Sequence, residues 1–273
     1  MDQMHVMNEQ QRKIMIKETF NTVARGYDNS ASRFFSQSAE HFAACLELKG
    51  HESVLDVATG TGYAALAVAK QLTQGQVAGI THGQVTGIDF SAGMLAQARQ
   101  KALAATLHTA SFTEMHMQAL DFPQHHFDAA VCAFGIFFVE DMESQLKHIA
   151  DKVKPGGKIA FCGFYEDAFL PMAELFFNCI QRYGVEKPPL SWKRIASEDK
   201  VAALCHTADL RPATEEEIFT ALGAHPGSLG AVSVNKEEQP LISEVIADLV
   251  LQGASEMVTG ANTDDFHYRH VSI

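Results

Sequence analysis

Val54-Leu55-Asp56-Val57-Ala58-Thr59-Gly60-Thr61-Gly62-Tyr63 is the stretch that decides the fold. A short apolar run ends at two glycines, and an Ala-rich segment follows from residue 63 to 72. Such a run reads as a buried strand, and the segment behind it as a helix. Glycines between them let the chain bend sharply and bring bare backbone close to a ligand, while the first N–H groups of the helix face the same space. This strand–bend–helix unit therefore predicts a site for a nucleotide-like cofactor.

The alternation continues outward. Residues 85–88 form a second apolar run, with an Ala-rich helix over 92–103; residues 110–115 are the third strand and 127–134 the fourth. A helix is predicted over 142–153. The turn Pro155-Gly156-Gly157 then leads to a fifth strand over 158–164. Two amphipathic helices, 8–24 and 32–48, precede the first strand. Strands alternating with helices predict an α/β fold, Rossmann-like and doubly wound, with a mainly parallel sheet.

One connection carries a repeat. Gly75-Gln76-Val77-Ala78-Gly79-Ile80-Thr81 recurs eight residues later as Gly83-Gln84-Val85-Thr86-Gly87-Ile88-Asp89. Either copy has the composition of a strand. Only the later one ends in an acid and runs directly into a helix-capping serine, Ser91, so the strand is assigned there and the earlier copy to a loop or a redundant edge. Asp89 follows Asp56 by 33 positions, or 25 without the repeat, a spacing that fits one helix and one strand. An acid at the end of the second strand is placed to accept hydrogen bonds from ribose hydroxyls.

These features resemble, in order, the motifs of class I S-adenosylmethionine-dependent methyltransferases. Asp56-x-Ala58-x-Gly60-x-Gly62 resembles their first motif and Gly87-Ile88-Asp89-Phe90-Ser91-x-x-Met94-Leu95 their second. Leu120-Asp121-Phe122-Pro123 with Phe127-Asp128-Ala129-Ala130-Val131 is similar to the approach to their fourth strand, and Val153-Lys154-Pro155-Gly156-Gly157 to the turn into the fifth. Phe20-x-x-Val23-Ala24-Arg25-Gly26-Tyr27-Asp28 resembles the entry helix of the branch that contains ubiquinone and menaquinone C-methyltransferases. The resemblance implies S-adenosyl-L-methionine as cofactor and a small-molecule methyl acceptor. It implies that Tyr27 lies near the cofactor, that Ala58, Thr59, Gly60 and Gly62 pass beside it with Asp56 and Thr61 near its methionine end, and that Asp89 holds the ribose. Phe90 and Met94 would pack on adenine, His116 and Met117 stand where the adenine amino group is read, and Ala133 and Phe134 would face the sulfonium. His116 and Met117 depart from the family's Asp or Asn followed by a small residue, leaving a backbone contact from Met117.

Methyl transfer needs chiefly in-line placement and exclusion of water, so no catalytic residue is assigned. Should the acceptor have to lose a proton, His116, His125, His126 and Tyr27 are bases by type, with His125-His126 better read as a solvated turn. A nicotinamide oxidoreductase is the competing reading, since Gly60-x-Gly62-x-x-Ala65 satisfies a looser dinucleotide fingerprint and Tyr183-x-x-x-Lys187 has dehydrogenase-like spacing. Gly184 and Pro188-Pro189 argue against one helix face for that pair.

The methyltransferase resemblance covers about residues 10–210, taken as a domain over 1–210. Residues 211–273 resemble part of the editing domain of bacterial prolyl-tRNA synthetases, through Ala213-Thr214-Glu215-Glu216-Glu217-Ile218, Leu222-Gly223-Ala224-His225-Pro226-Gly227-Ser228-Leu229-Gly230-Ala231-Val232 and Met257-Val258-Thr259-Gly260-Ala261-Asn262-x-Asp264-Asp265-Phe266-His267-Tyr268. The earlier half of that domain, with its important lysine, has no counterpart, and tRNA deacylation is not expected. This tail stands where the family's two last strands belong. The sheet is therefore expected to be atypical or incomplete at its C-terminal strands, filled by 228–234 and 244–251 or left with an edge that favours a homo-oligomer. A fused, cofactor-binding chain without transfer activity is the second alternative.

Composition narrows the rest. The chain of 273 residues is 47% hydrophobic and carries a net charge of −12, with no basic run. A folded enzyme is expected and nucleic acid is a poor partner. Residues 1–13 are polar, without the apolar segment of a signal or anchor, and no span is long enough for a membrane. Cys45, Cys132, Cys162, Cys179 and Cys205 are scattered and never spaced for a metal, which predicts reduced thiols in a cytoplasmic protein and no metal cofactor.

Overall fold

A computed structural model of the chain describes residues 8–29, 33–74, 83–166, 171–187, 190–214 and 217. Two helices come first, α1 (Glu9–Val23) and α2 (Arg33–Cys45), followed by β1 (Ser53–Val57) and α3 (Tyr63–Gln74). Then come β2 (Gln84–Asp89), α4 (Ala92–Ala104), β3 (Ala110–Glu114), β4 (Phe127–Ala133), α5 (Met142–Ala150) and β5 (Val153–Cys162). Two helices, α6 (Met172–Gln181) and α7 (Glu198–Thr207), complete the described elements. The strands form one five-stranded parallel sheet in the order β3-β2-β1-β4-β5, so the expected doubly wound α/β fold is present. The second copy of the repeat is β2, as its acid and capping serine imply. The earlier copy lies outside the described residues.

Alternation along the strands divides the core between the two faces of the sheet. Val54, Val85, Ala129 and Val131 meet the small side chains of α2 and α3, including Ala43, Ala65 and Val68. Leu55, Val57, Ala130 and Cys132 turn the other way, onto Leu146 and Ile149 of α5 and Leu204 of α7. Runs that are apolar on both faces are what a sheet covered on both sides demands.

Two boundaries around the start of the fifth strand differ from the sequence reading. The predicted helix 142–153 stops at Ala150, because Val153 already pairs with Phe127 in the sheet. Strand β5 accordingly begins at Val153, and the Pro155-Gly156-Gly157 turn lies inside it as an irregularity in the β4–β5 register rather than ahead of it. Gly156 has φ +79°, and a Cβ on Gly157 would lie 2.4 Å from the Asp128 carbonyl oxygen, so this bulge depends on glycine at both positions.

Residues 190–210 remain part of the same body. Ile195, Leu204 and Ala208 are buried in the α5-side core. Arg194 donates from Nη1 to the Glu140 carbonyl at 2.7 Å and from Nη2 to the Phe137 carbonyl at 2.7 Å, and also bonds to that of Val139. One guanidinium thus holds the turn between β4 and α5. Among the described residues β5 pairs only with β4. The segments 228–234 and 244–251, expected to extend the sheet, lie outside the described residues.

Candidate active site

Strands β1, β2 and β4 end at a common cleft of about 1110 Å³ including its open mouth. Ligands of open parallel sheets bind at these carboxyl ends. The bend after β1 forms its floor. Ala58, Gly60 and Gly62 all have positive φ, at 57°, 54° and 86°. Ala58 adopts that conformation without glycine's freedom, which is local strain of the kind found at sites. Thr59 N–H donates to the Ile88 carbonyl at 2.8 Å, and Gly62 N–H to the Thr59 carbonyl at 2.8 Å, so the bend is tied to the end of β2 and to itself.

Two acids organise this floor. Asp89 is buried; its Oδ2 accepts from Gly60 N–H at 2.9 Å and its Oδ1 from Ser91 N–H at 2.8 Å. Burial raises its pKa against the lowering effect of those N–H groups. Asp56 is fully buried, and its Oδ2 accepts from Thr59 Oγ1 at 2.6 Å and from Ala65 N–H at 2.9 Å. Its Oδ1 is buried without any hydrogen-bond partner. Desolvation pushes the carboxyl up to about 7. An unmet acceptor lining a cleft is a place for a donor brought by a ligand.

The cleft collects nearly every residue predicted for it. Tyr27, Asp56, Ala58, Thr59, Gly60, Thr61, Asp89, Phe90, Met94, His116, Met117, Ala133 and Phe134 all line it. Gly62 stands behind the bend, where a Cβ would lie 2.9 Å from that of Ala98 and 3.3 Å from the Phe112 ring. Its role is close packing of the bend on α4 and β3. Phe90 meets His116 edge-on at 5.3 Å, and Met94 is buried beneath them. Burial, with the charges of Lys13 and Lys17, lowers the pKa of His116 and favours the neutral ring.

A cover closes over this floor. Asn21 of α1 accepts at Oδ1 from Ser91 Oγ at 2.7 Å and from Gly93 N–H at 3.1 Å, docking α1 on the start of α4. Beyond α1, Asp28 accepts from Thr61 Oγ1 at 2.7 Å and pairs with Lys101 at 2.7 Å, while Lys101 lies 3.7 Å from the centre of the Tyr63 ring. Burial lowers the Lys101 pKa, opposed by Asp28, and raises that of Tyr63 to about 12. Tyr27 stacks on Phe35 at 5.6 Å, Phe35 meets Phe134 edge-on at 5.1 Å, and Phe20 meets Phe138 edge-on at 5.4 Å. Burial and the carboxylates of Asp28 and Asp89 raise the Tyr27 pKa, so its hydroxyl keeps its proton. Phe134 has φ 54°, turning the chain out of β4 into this aromatic collar.

Phe20, Asp28, Phe35 and Phe138 were not among the predicted site residues. Phe20 and Asp28 stood inside the quoted entry motif, whereas Phe35 and Phe138 carried no local signal. Of the bases named by type, His116 and Tyr27 line the cleft. His125 and His126 precede β4 at the opposite end of the sheet, where His125 Nδ1 lies 3.1 Å from the Val153 carbonyl oxygen. The dehydrogenase-like pair is also away from the cleft: Tyr183 is 82% exposed, and Lys187 sits over the Phe177 ring.

Comparison with known proteins agrees with this geometry. Residues 54–157 match the family described as Methyltransferase domain, and residues 193–272 the Aminoacyl-tRNA editing domain. The ubiquinone/menaquinone biosynthesis C-methyltransferase of Geobacter sulfurreducens is 28% identical over 234 residues, 79% of this chain and 88% of that protein. A proline–tRNA ligase of Pediococcus pentosaceus is 43% identical over 77 residues, 28% of this chain but 13% of the ligase. A crystal structure of a methyltransferase from Aquifex aeolicus shares the fold, with a TM-score of 0.52 at 17% identity, over 71% of this chain and 90% of the other. Over residues 54–157, with their glycine bend and paired acids, the chain carries a match to the methyltransferase domain.

Proposed function

We propose that the cleft binds S-adenosyl-L-methionine and that the enzyme transfers its methyl group to a small acceptor held in the aromatic collar. The observation that carries this reading is the buried carboxyl of Asp56, a residue lining the cleft, whose Oδ1 has no hydrogen-bond partner. The cofactor's methionine ammonium is a donor of the required charge, and pairing with it would draw the Asp56 proton off.

The other residues fit the same ligand. Asp89 keeps lone pairs for two ribose hydroxyls while it holds Gly60. Phe90 and Met94 offer an apolar slot for adenine beside His116 and Met117. When bound, the cofactor supplies an already activated methyl on a sulfonium. The chain's task is then placement. Phe134, Phe138 and Tyr27 exclude water and orient the acceptor, which is worth orders of magnitude in rate without any covalent help. No residue is required as a base unless the acceptor must lose a proton; neutral His116 is then the better suited of the two candidates at the cleft, since Tyr27 holds its proton.

We place the domain boundary near residue 210, because Arg194, Ile195 and α7 serve the methyltransferase body although the editing-domain match begins at 193. A cytoplasmic site of action and association through the β5 edge belong to the same proposal. Calorimetry with S-adenosylhomocysteine tests the cofactor, and methyl release from labelled S-adenosylmethionine tests transfer separately. Tight NADH binding without S-adenosylhomocysteine binding would overturn the reading.

A further inference from the structure

One wall of the cleft is cut from α1. Arg12, Ile16 and Phe20 recur every fourth residue and all line it. Within two helical turns this stripe changes from aromatic to cationic, over roughly 12 Å at 1.5 Å per residue. Phe20 belongs to the collar, edge-on to Phe138. Arg12 faces the far end of the same turn, and its nearest acid is Glu140 at 3.8 Å, beyond hydrogen-bond distance and with a side chain 76% exposed.

The neighbouring cations are committed elsewhere. Arg194 donates to the carbonyls of Phe137, Val139 and Glu140. Lys13 pairs with Glu9 at 2.9 Å, and Lys17 with Glu114 at 2.8 Å. Among the described residues the Arg12 guanidinium makes no hydrogen bond. A half-buried guanidinium on the same cleft wall as the aromatic collar, in a chain of net charge −12, is an open fork for an anion.

We infer that the methyl acceptor is an aromatic acid, its ring held by Phe20, Phe134 and Phe138 and its carboxylate by Arg12 at the mouth. The inference rests on the methyltransferase reading of the cleft and adds the substrate class. A planar carboxylate fits the two parallel N–H groups of one guanidinium, which makes Arg12 a specificity residue and leaves the transfer chemistry to the collar.

The single tryptophan of the chain provides the readout. Trp192 meets Phe164 edge-on at 6.2 Å, and Phe164 stacks on Phe134 at 4.7 Å. Fluorescence titration of the full chain, saturated with S-adenosylhomocysteine, would use 2-naphthoate and anthraquinone-2-carboxylate, each beside its neutral carboxamide. At least one acid is expected to bind about tenfold more tightly than its amide, a difference of about 1.4 kcal/mol. Arg12→Gln should erase that preference and Arg12→Lys restore part of it, with S-adenosylhomocysteine affinity unchanged by calorimetry. Equal binding of acids and amides, absence of acid binding, or a preference that survives Arg12→Gln overturns the inference. So does an equal loss of S-adenosylhomocysteine affinity in Arg12→Gln, which would assign the guanidinium to the cofactor. Wild-type protein that fails to bind S-adenosylhomocysteine would instead defeat the methyltransferase reading itself.

Discussion

The floor of the cleft and its cover are held in different ways. Asp56, Thr59, Thr61, Asp89 and Ser91 are polar yet buried, and backbone N–H groups of the bend are satisfied by neighbouring strands and acids. Helix α1 buries none of its residues. It is joined to the rest by Asn21, by ring contacts and by ion pairs at the surface. Buried, satisfied hydrogen bonds hold geometry, whereas exposed ion pairs contribute little and exchange with water. The comparison teaches that, on the proposed function, the cofactor would meet a preformed surface beneath a more loosely held helix.

The sharpest way to break this contrast is at Asp89. Replacing it by Ala removes the acceptor for Gly60 and Ser91 and, on the proposed function, the partner for ribose. At about 1.5–3 kcal/mol for a charged hydrogen bond, S-adenosylhomocysteine affinity should fall by roughly 100-fold in calorimetry. An unchanged affinity would remove the floor from the binding reading. Gly62→Ala comes next: the positive φ and the 2.9 Å approach to Ala98 predict about 2 kcal/mol of lost stability in denaturant unfolding.

Asp56 gives an effect of intermediate size and defined sign. Its folded pKa, about 7, is above the ordinary 3.8, so the free protein loses stability as pH rises between those values and levels off above. Ligand binding should run the other way, since a cationic ammonium prefers the ionised carboxylate. Affinity is expected to rise several-fold as pH passes through about 7, and Asp56→Asn should flatten that profile. The cover predicts the smallest change. Asp28→Asn weakens the links to Lys101 and Thr61, so stopped-flow dissociation of S-adenosylhomocysteine should accelerate by about fivefold, while the unfolding midpoint barely moves. A large stability loss there would mean that the cover is as fixed as the floor.

The same contrast explains what could be read in the sequence. The floor was legible because its glycines, acids and capping serine each answer a local backbone need, and local needs leave local patterns. The second copy of the repeat could be chosen as β2 for that reason. The cover was less legible. Amphipathicity marks α1 as a helix, yet Ile14, one of the apolar residues that suggested it, is 53% exposed, and the face toward the cleft includes Arg12 and Lys13. A helix that borders a cavity instead of a core has no reason to keep that face apolar. Phe35 and Phe138 join the collar only through tertiary packing. The start of β5 was misplaced because a bulge and a turn use the same Pro-Gly-Gly chemistry, and only pairing with Phe127 separates them.

Arg194 has a practical consequence for anyone wishing to separate the two resemblances. The editing-domain match starts at residue 193, but a protease or a deletion cutting there would take with it the guanidinium that caps three carbonyls and the apolar side chains of α7. The seam suggested by ancestry and the seam permitted by mechanics are therefore different places, and a viable excision has to begin downstream of Leu210.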